Sequence, residues 1–148
     1  MKKVPVVYFS LTGNTQKMAE YIAEGVRFSG NEAVTGKTSD IRTADQLAGY
    51  DGYIFGSPAY HRDMAEPMKN LLFLAAKADL KTKLVGAFGS STHIGDAPAM
   101  ILDTTQHVHK MRPVDLGAFN LVGDDLGTGE GLHACRDYGK YFRRKLGA

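Results

Sequence analysis

Tryptophan is absent from the 148 residues and cysteine occurs once. A single thiol, Cys135, can neither close an internal disulfide nor furnish a cysteine-rich metal site. A reducing compartment, the cytoplasm, is the expectation that fits such usage. No run approaches the ~18 apolar residues of a membrane span. Met1-Lys2-Lys3 ahead of apolar Val4–Leu11 has the outline of a signal peptide. That stretch is very short, however, and passes into Thr12-Gly13-Asn14-Thr15-Gln16 with no small-x-small cleavage site, so a buried strand accounts for it better. Charge of one sign is not in excess either. Eighteen Lys and Arg against sixteen Asp and Glu leave a net charge of +2, a balance that gives no expectation of nucleic-acid binding. The one local excess is Arg136, Lys140, Arg143, Arg144 and Lys145. It reads as the solvated face of a last helix, with docking of an acidic partner as the functional alternative. No metal site is expected: His61 and His93 lack carboxylate or Cys companions at useful spacing, and His107 and His109 lie on different faces of a helix.

What is present is the composition of one ordinary globular domain covering residues 1–148, with 43% hydrophobic and 23% charged residues. Val4–Phe9 is a short β-branched and aromatic run, the pattern of a strand buried on both faces. Met18, Ile22 and Val26, with Ala19 and Ala23 beside them, form one apolar helix face that ends at Ser29-Gly30-Asn31. A weaker strand is expected over Glu32–Lys37, a short helix near Ala44–Gly49, and a strong strand over Asp51–Gly56. Pro67 suits the first turn of a helix reaching about Ala78. Leu84–Gly89 reads as a strand, Ala97–Met111 as a helix and Val114–Val122 as the last strand. Leu132, Cys135, Gly139, Phe142 and Leu146 stripe the closing helix, where Cys135 is a small core residue rather than a nucleophile. Alternation of strand and helix about five times implies an α/β fold: a doubly wound, five-stranded parallel sheet with right-handed crossovers and helices on both faces. Ligands of such sheets bind beyond the carboxyl ends of the strands. That singles out three loops, Ser10–Thr15, Ser57–Met64 and Ser90–Asp96.

The first loop reads Ser10, Leu11, Thr12, Gly13, Asn14, Thr15. Its three hydroxyls, one amide and several backbone N–H groups can converge on one point, and the helix that follows adds partial positive charge there. One helix cap needs one such residue, so four in six positions imply a bound terminal phosphate. The Gly-Lys-[Ser/Thr] of a P-loop and the Gly-x-Gly-x-x-Gly of a dinucleotide fold are both missing, which favours a mononucleotide. In the second loop (Ser57, Pro58, Ala59, Tyr60, His61, Arg62, Asp63, Met64) Pro58 stiffens the turn while Tyr60 and His61 offer flat faces to an aromatic ring system. The third loop supplies Ser90, Ser91, Thr92, His93, Gly95 and Asp96, with N–H groups for the polar edge of a heterocycle and His93 to cover it.

These residues carry a resemblance. Ser10-Leu11-Thr12-Gly13-Asn14-Thr15 resembles the phosphate loop Ser/Thr-x-Thr-Gly-x-Thr of flavodoxins. Ile54-Phe55-Gly56-Ser57-Pro58-Ala59-Tyr60 looks like their second flavin loop, and Phe88-Gly89-Ser90-Ser91 like the start of their third. The likeness implies strand order 2-1-3-4-5, non-covalently bound FMN at the switch point and electron exchange with a redox partner protein. The turn Ser57–Met64 holds no Gly, and Pro58 stiffens it. A backbone rotation beside the flavin is therefore resisted, and a narrower window for one-electron exchange is expected. Gly56–Asn70 is also similar to the same stretch of FMN-dependent NAD(P)H:quinone reductases, which implies NAD(P)H and a quinone-like acceptor as the alternative partners. Those enzymes carry an insertion after the second strand for which Gly36–Gly49 leaves no room. A receiver domain would need acids where Tyr8-Phe9-Ser10 and Phe55-Gly56-Ser57 stand, and a low-molecular-weight phosphatase would need a Cys in the first loop.

Overall fold

The computed structural model describes residues 2–10, 13–28, 30–60, 63–91, 97–122 and 128–146; for Ala59, Tyr60, Asp63, Ser91 and Val122 it describes the backbone only. The elements in chain order are β1 (Lys3–Tyr8), α1 (Asn14–Arg27), β2 (Glu32–Lys37), β3 (Gly52–Gly56), β4 (Ala59–Tyr60), β5 (Asp63–Met64), α2 (Glu66–Ala75), β6 (Leu84–Ser91), α3 (Ala97–His107), β7 (Arg112–Pro113), β8 (Phe119–Val122) and α4 (Gly129–Leu146). The main sheet runs β2-β1-β3-β6, with β7 and β8 both on the outer edge of β6. All of its pairings are parallel. With β6 as the fourth strand and β7 plus β8 sharing the fifth position, this is the expected order 2-1-3-4-5.

Burial on both faces explains the continuous apolar strands. Val4, Val6 and Ile54 point to the side where α1 and α4 lie, and pack with Met18, Ile22, Val26, Cys135, Tyr138 and Phe142. Val7, Tyr53 and Phe55 point to the other side and meet Met68, Leu71, Leu72 and Ile101 of α2 and α3. The period-2 alternation of β1 and β3 thus feeds two cores, one on each face of a single sheet. Cys135 is fully buried, and burial pushes its thiol up to about 12. It is the small core residue its stripe implies.

Several elements take a different form from the sequence expectation. The helix expected to reach Met111 stops at His107, because Lys110 turns left-handed at φ 57° and the Met111 N–H folds back onto the Thr105 carbonyl at 3.0 Å. The short helix near residues 44–49 is a single 3-10 turn, Ala44–Leu47. The helix after Pro67 tightens to a 3-10 turn at Ala76–Ala78 and ends at Asp79, φ 54°. The largest difference concerns the last strand, which is broken. From Val85 to Phe88, β6 advances three residues while the opposing chain advances six, from Pro113 to Phe119. The surplus loops out through a turn in which Gly117 N–H bonds the Val114 carbonyl at 3.0 Å.

That loop would leave the β6 backbone unpaired at Ala87. Tyr138 of α4 fills the gap. Its phenol oxygen accepts the Ala87 N–H at 3.0 Å, and its proton faces the carbonyls of Ala87 and Gly117 at 3.3 and 3.2 Å. Phe119 stacks on its ring at 5.2 Å. Burial raises the phenol's pKa, so the group stays a neutral donor at all physiological pH. Replacing Tyr138 by Phe keeps the ring and strands a buried N–H, which costs about 1–3 kcal/mol. Urea unfolding monitored by circular dichroism should show a lower midpoint with an unchanged slope; an unchanged midpoint would mean that the ladder does not need the phenol.

Candidate functional site

The chain leaves β1 through Phe9 and Ser10 and enters α1 at Gly13. Gly13 is the N-cap, with φ 89° and ψ −9°, and among the described residues no side chain caps this helix. An L-residue is strained in that conformation, which is why the sequence has glycine there. The Gly13 N–H bonds Ser10 Oγ at 3.0 Å. The Asn14, Thr15 and Gln16 amides open α1 and have no intrahelical carbonyl to bond. The first turn contains no acidic residue. A set of N–H dipoles at a helix start, with no carboxylate and no cation in the loop, suits a small anion held by dipoles.

The three loops are tied to one another. Thr15 Oγ1 and Ser90 Oγ lie 3.0 Å apart, both buried, joining the start of α1 to the end of β6. Two hydroxyls bring two protons; their mutual bond uses one, and the other is available to a third partner. The Phe9 N–H bonds the Gly56 carbonyl at 3.0 Å, and the Ser57 N–H bonds the Phe88 carbonyl at 3.2 Å. Gly89 makes the last approach possible, because a Cβ there would fall 2.5 Å from the Ser57 carbonyl oxygen. The ends of β1, β3 and β6 therefore meet at one place.

Individual residues take distinct parts. Ser57 is fully buried; its Oγ accepts the Ala65 N–H at 2.9 Å and donates to the Pro58 carbonyl at 2.9 Å. This closes the loop onto the start of α2. The loop itself is a small antiparallel ribbon, β4 with β5, pairing Ala59 with Met64 and Tyr60 with Asp63, a feature the sequence reading missed. The Met64 side chain sits in the core beside Met68 and Leu72, on the protein side of the ribbon. Leu11, Thr12, His61, Arg62, Thr92, His93, Gly95 and Asp96 lie outside the described residues, as do the side chains of Ala59, Tyr60, Asp63 and Ser91.

Beside the first loop, a hollow of about 610 Å³ opens at the carboxyl ends of β1 and β2. Ser10 and Gln16 line one wall, and Lys37, Thr38, Asn70 and Leu71 the other. Apart from Ser10, the sequence reading did not take these residues as part of a site, since only the rule that ligands gather at strand carboxyl ends, applied to β2 as well, points to them. Tyr8 lines the same hollow; burial first, then the charges of Glu20 and Asp40, raise its pKa and keep its phenol neutral. Among the described residues no group of three or more His, Cys, Asp or Glu could hold a metal ion.

The chain matches the family model described as Flavodoxin over residues 6–136. A flavodoxin of Clostridium saccharobutylicum is 33% identical over 109 residues, covering 72% of this chain and 67% of that protein. A solved flavodoxin from the domain Archaea superposes with a TM-score of 0.88 at 25% identity, over 99% of both chains. Oxidised flavodoxin 1 of Bacillus cereus shares the fold with a TM-score of 0.83 at 24% identity, covering 96% of this chain and 97% of the other.

Substituting Ser57 by Ala should leave the Ala65 N–H buried and unpaired, at a cost of about 1–3 kcal/mol. Thermal unfolding of the variant checks this, with a lower Tm expected. A Tm equal to that of the parent would show that the loop is closed by other contacts.

Proposed function

The chain belongs to the flavodoxin family, and we propose that it carries electrons to or from a redox partner protein with its three tied loops as the seat of one non-covalently bound FMN. When bound, FMN supplies the ring that accepts and gives up electrons, and the protein supplies binding and orientation. The residues fit that group. The mutual ties of Thr15 with Ser90, Phe9 with Gly56 and Ser57 with Phe88 are the observation that carries this reading, since they bring the loops together before any ligand arrives.

In this reading Ser10, Leu11, Thr12, Gly13, Asn14 and Thr15 hold the phosphate through N–H groups and hydroxyls. The ribbon at 57–64 and the segment at 90–96 flank the ring, with Tyr60 or His93 against one face. No acid or base is needed, because the ring does the chemistry. Ser57 positions its loop through Ala65. The NAD(P)H:quinone reductase alternative is not favoured: between β2 and β3 the chain makes only the 3-10 turns Thr38–Asp40 and Ala44–Leu47, with no further segment to build a second substrate site. No helix among the described residues is long and apolar enough to cross a membrane; the lone, buried Cys135 fits a cytoplasmic setting.

An anaerobic titration of the FMN-loaded protein separates the two activities. Dithionite should bleach the visible flavin absorbance, and NADH or NADPH alone should leave it unchanged over the same time. Rapid bleaching by NAD(P)H without an added reductase, followed by turnover with a quinone, would assign the chain to the reductases.

A further inference from the structure

The outer face of α4 carries a cluster that flavin binding leaves unused. Lys140, Arg143 and Arg144 line a shallow cleft of about 520 Å³ together with Phe28, Leu116 and Tyr141. Phe28, at the end of α1, is 57% exposed, and Leu116, in the loop that interrupts the fifth strand, is 54% exposed. Exposed apolar side chains gathered at one cleft mark a contact site more often than an ordinary surface does.

The charges around the cleft are unequal. Arg136 pairs with Glu24 at 3.2 Å and Lys145 with Asp115 at 3.5 Å. Asp137, the carboxylate in the cleft, faces His133 at 3.7 Å. Among the described residues Lys140, Arg143 and Arg144 have no carboxylate partner, and Arg143 Nε is buried without a hydrogen bond. Three cations without a carboxylate partner beside the single carboxylate of Asp137 leave this cleft locally positive. The cations are also held in place: Lys140 Nζ sits 4.4 Å from the Phe28 ring centroid, and Arg144 Cζ 5.7 Å from that of Tyr141. Such contacts reduce the ordering that docking would otherwise have to impose.

We propose that this cleft docks an acidic protein surface that presents an apolar side chain between carboxylates. The apolar group would pack on Phe28 and Leu116, while the carboxylates pair with Arg143, Arg144 and Lys140. A nucleotide base fits less well, because cations already lie over the Phe28 and Tyr141 rings, Phe119 and Tyr138 are stacked on each other, and Leu116 is aliphatic. The cleft is also remote from the flavin end of the sheet. Gly129 starts α4 just after β8 reaches that end, and Arg143 lies about 20 Å further along the helix at its usual rise. Phe142, next to it, lies against Gly52 at the opposite end of β3. A partner anchored here leaves the flavin end open, so this contact holds a partner and is distinct from the route of the electrons.

The test uses the FMN-loaded, 15N-labelled protein and three probes: a short peptide of Asp and Glu flanking one Leu, the same peptide with Lys in place of the acids, and an oligouridylate of matching charge. The acidic peptide should move the amide resonances of Phe28, Leu116 and residues 137–144, and added salt should weaken the effect. Replacing Lys140, Arg143 and Arg144 together by Gln, which keeps α4 helical, should weaken binding about tenfold. Leu116→Ala, which leaves the charges alone, should weaken it severalfold. Shifts centred on the 10–15 loop, shifts spread over every lysine, absence of localised shifts, or equal binding by the Gln variant would each overturn the proposal. Tighter binding of the oligouridylate at the same residues would replace it with a nucleic-acid site.

Discussion

Two buried hydroxyls, Thr15 and Ser90, 3.0 Å apart, hold the first turn of α1 against the end of β6. The rest of the site depends on this contact, because it fixes where the helix dipole points. A parallel sheet leaves the carboxyl ends of its strands open where the chain leaves neighbouring strands in opposite directions. Here β1 leads to α1 on one face, and β3 leads to α2 on the other. The crevice between them would be loose without cross-ties. The backbone bonds from Phe9 to Gly56 and from Ser57 to Phe88 close it from the other two sides. What remains open is the row of first-turn amides, which no side chain among the described residues caps.

Support for this arrangement comes from the far edge of the sheet. β6 supplies Phe88, Gly89 and Ser90 to the site, and its outer edge faces a strand that is interrupted beside Ala87. The Tyr138 phenol completes the ladder there, one residue before Phe88. The same α4 presents the cationic face at its far end. One helix therefore braces the sheet from beneath and carries a surface remote from the flavin.

The sequence showed most of the scaffold because strands buried on both faces and amphipathic helices leave strong local patterns. Val4–Tyr8, Gly52–Gly56 and the Met18–Ile22–Val26 stripe are patterns of that kind. The loop Ser10–Thr15 was legible because it holds more hydroxyls than one cap can use. Features decided by long-range contacts were not legible. The break in the fifth strand is bridged by Tyr138, more than twenty residues after the break begins, and Gly117, left-handed at φ 86°, is a local sign of it that the apolar run Val114–Val122 masked. Met64 looked like a loop residue, but its side chain joins the core because β5 turns it inward. The β4–β5 ribbon is too short to leave a periodic pattern. The stop of α3 at His107 rests on a left-handed Lys110, a conformation that sequence gives little reason to expect outside Gly and Asn.

The central claim is that dipoles at the start of α1, with no cation in the loop, hold the FMN phosphate. Fixed N–H donors favour the dianion over the protonated monoanion. Phosphorus-31 NMR of the FMN-loaded protein across the stable pH range reads this directly. A free phosphate monoester changes protonation at about pH 6. The account predicts that the bound resonance keeps one position through that pH, the signature of a phosphate held as the dianion. A bound resonance that moves with a midpoint near that of free FMN would contradict it, and would place the phosphate in water instead of against the amides of Asn14, Thr15 and Gln16.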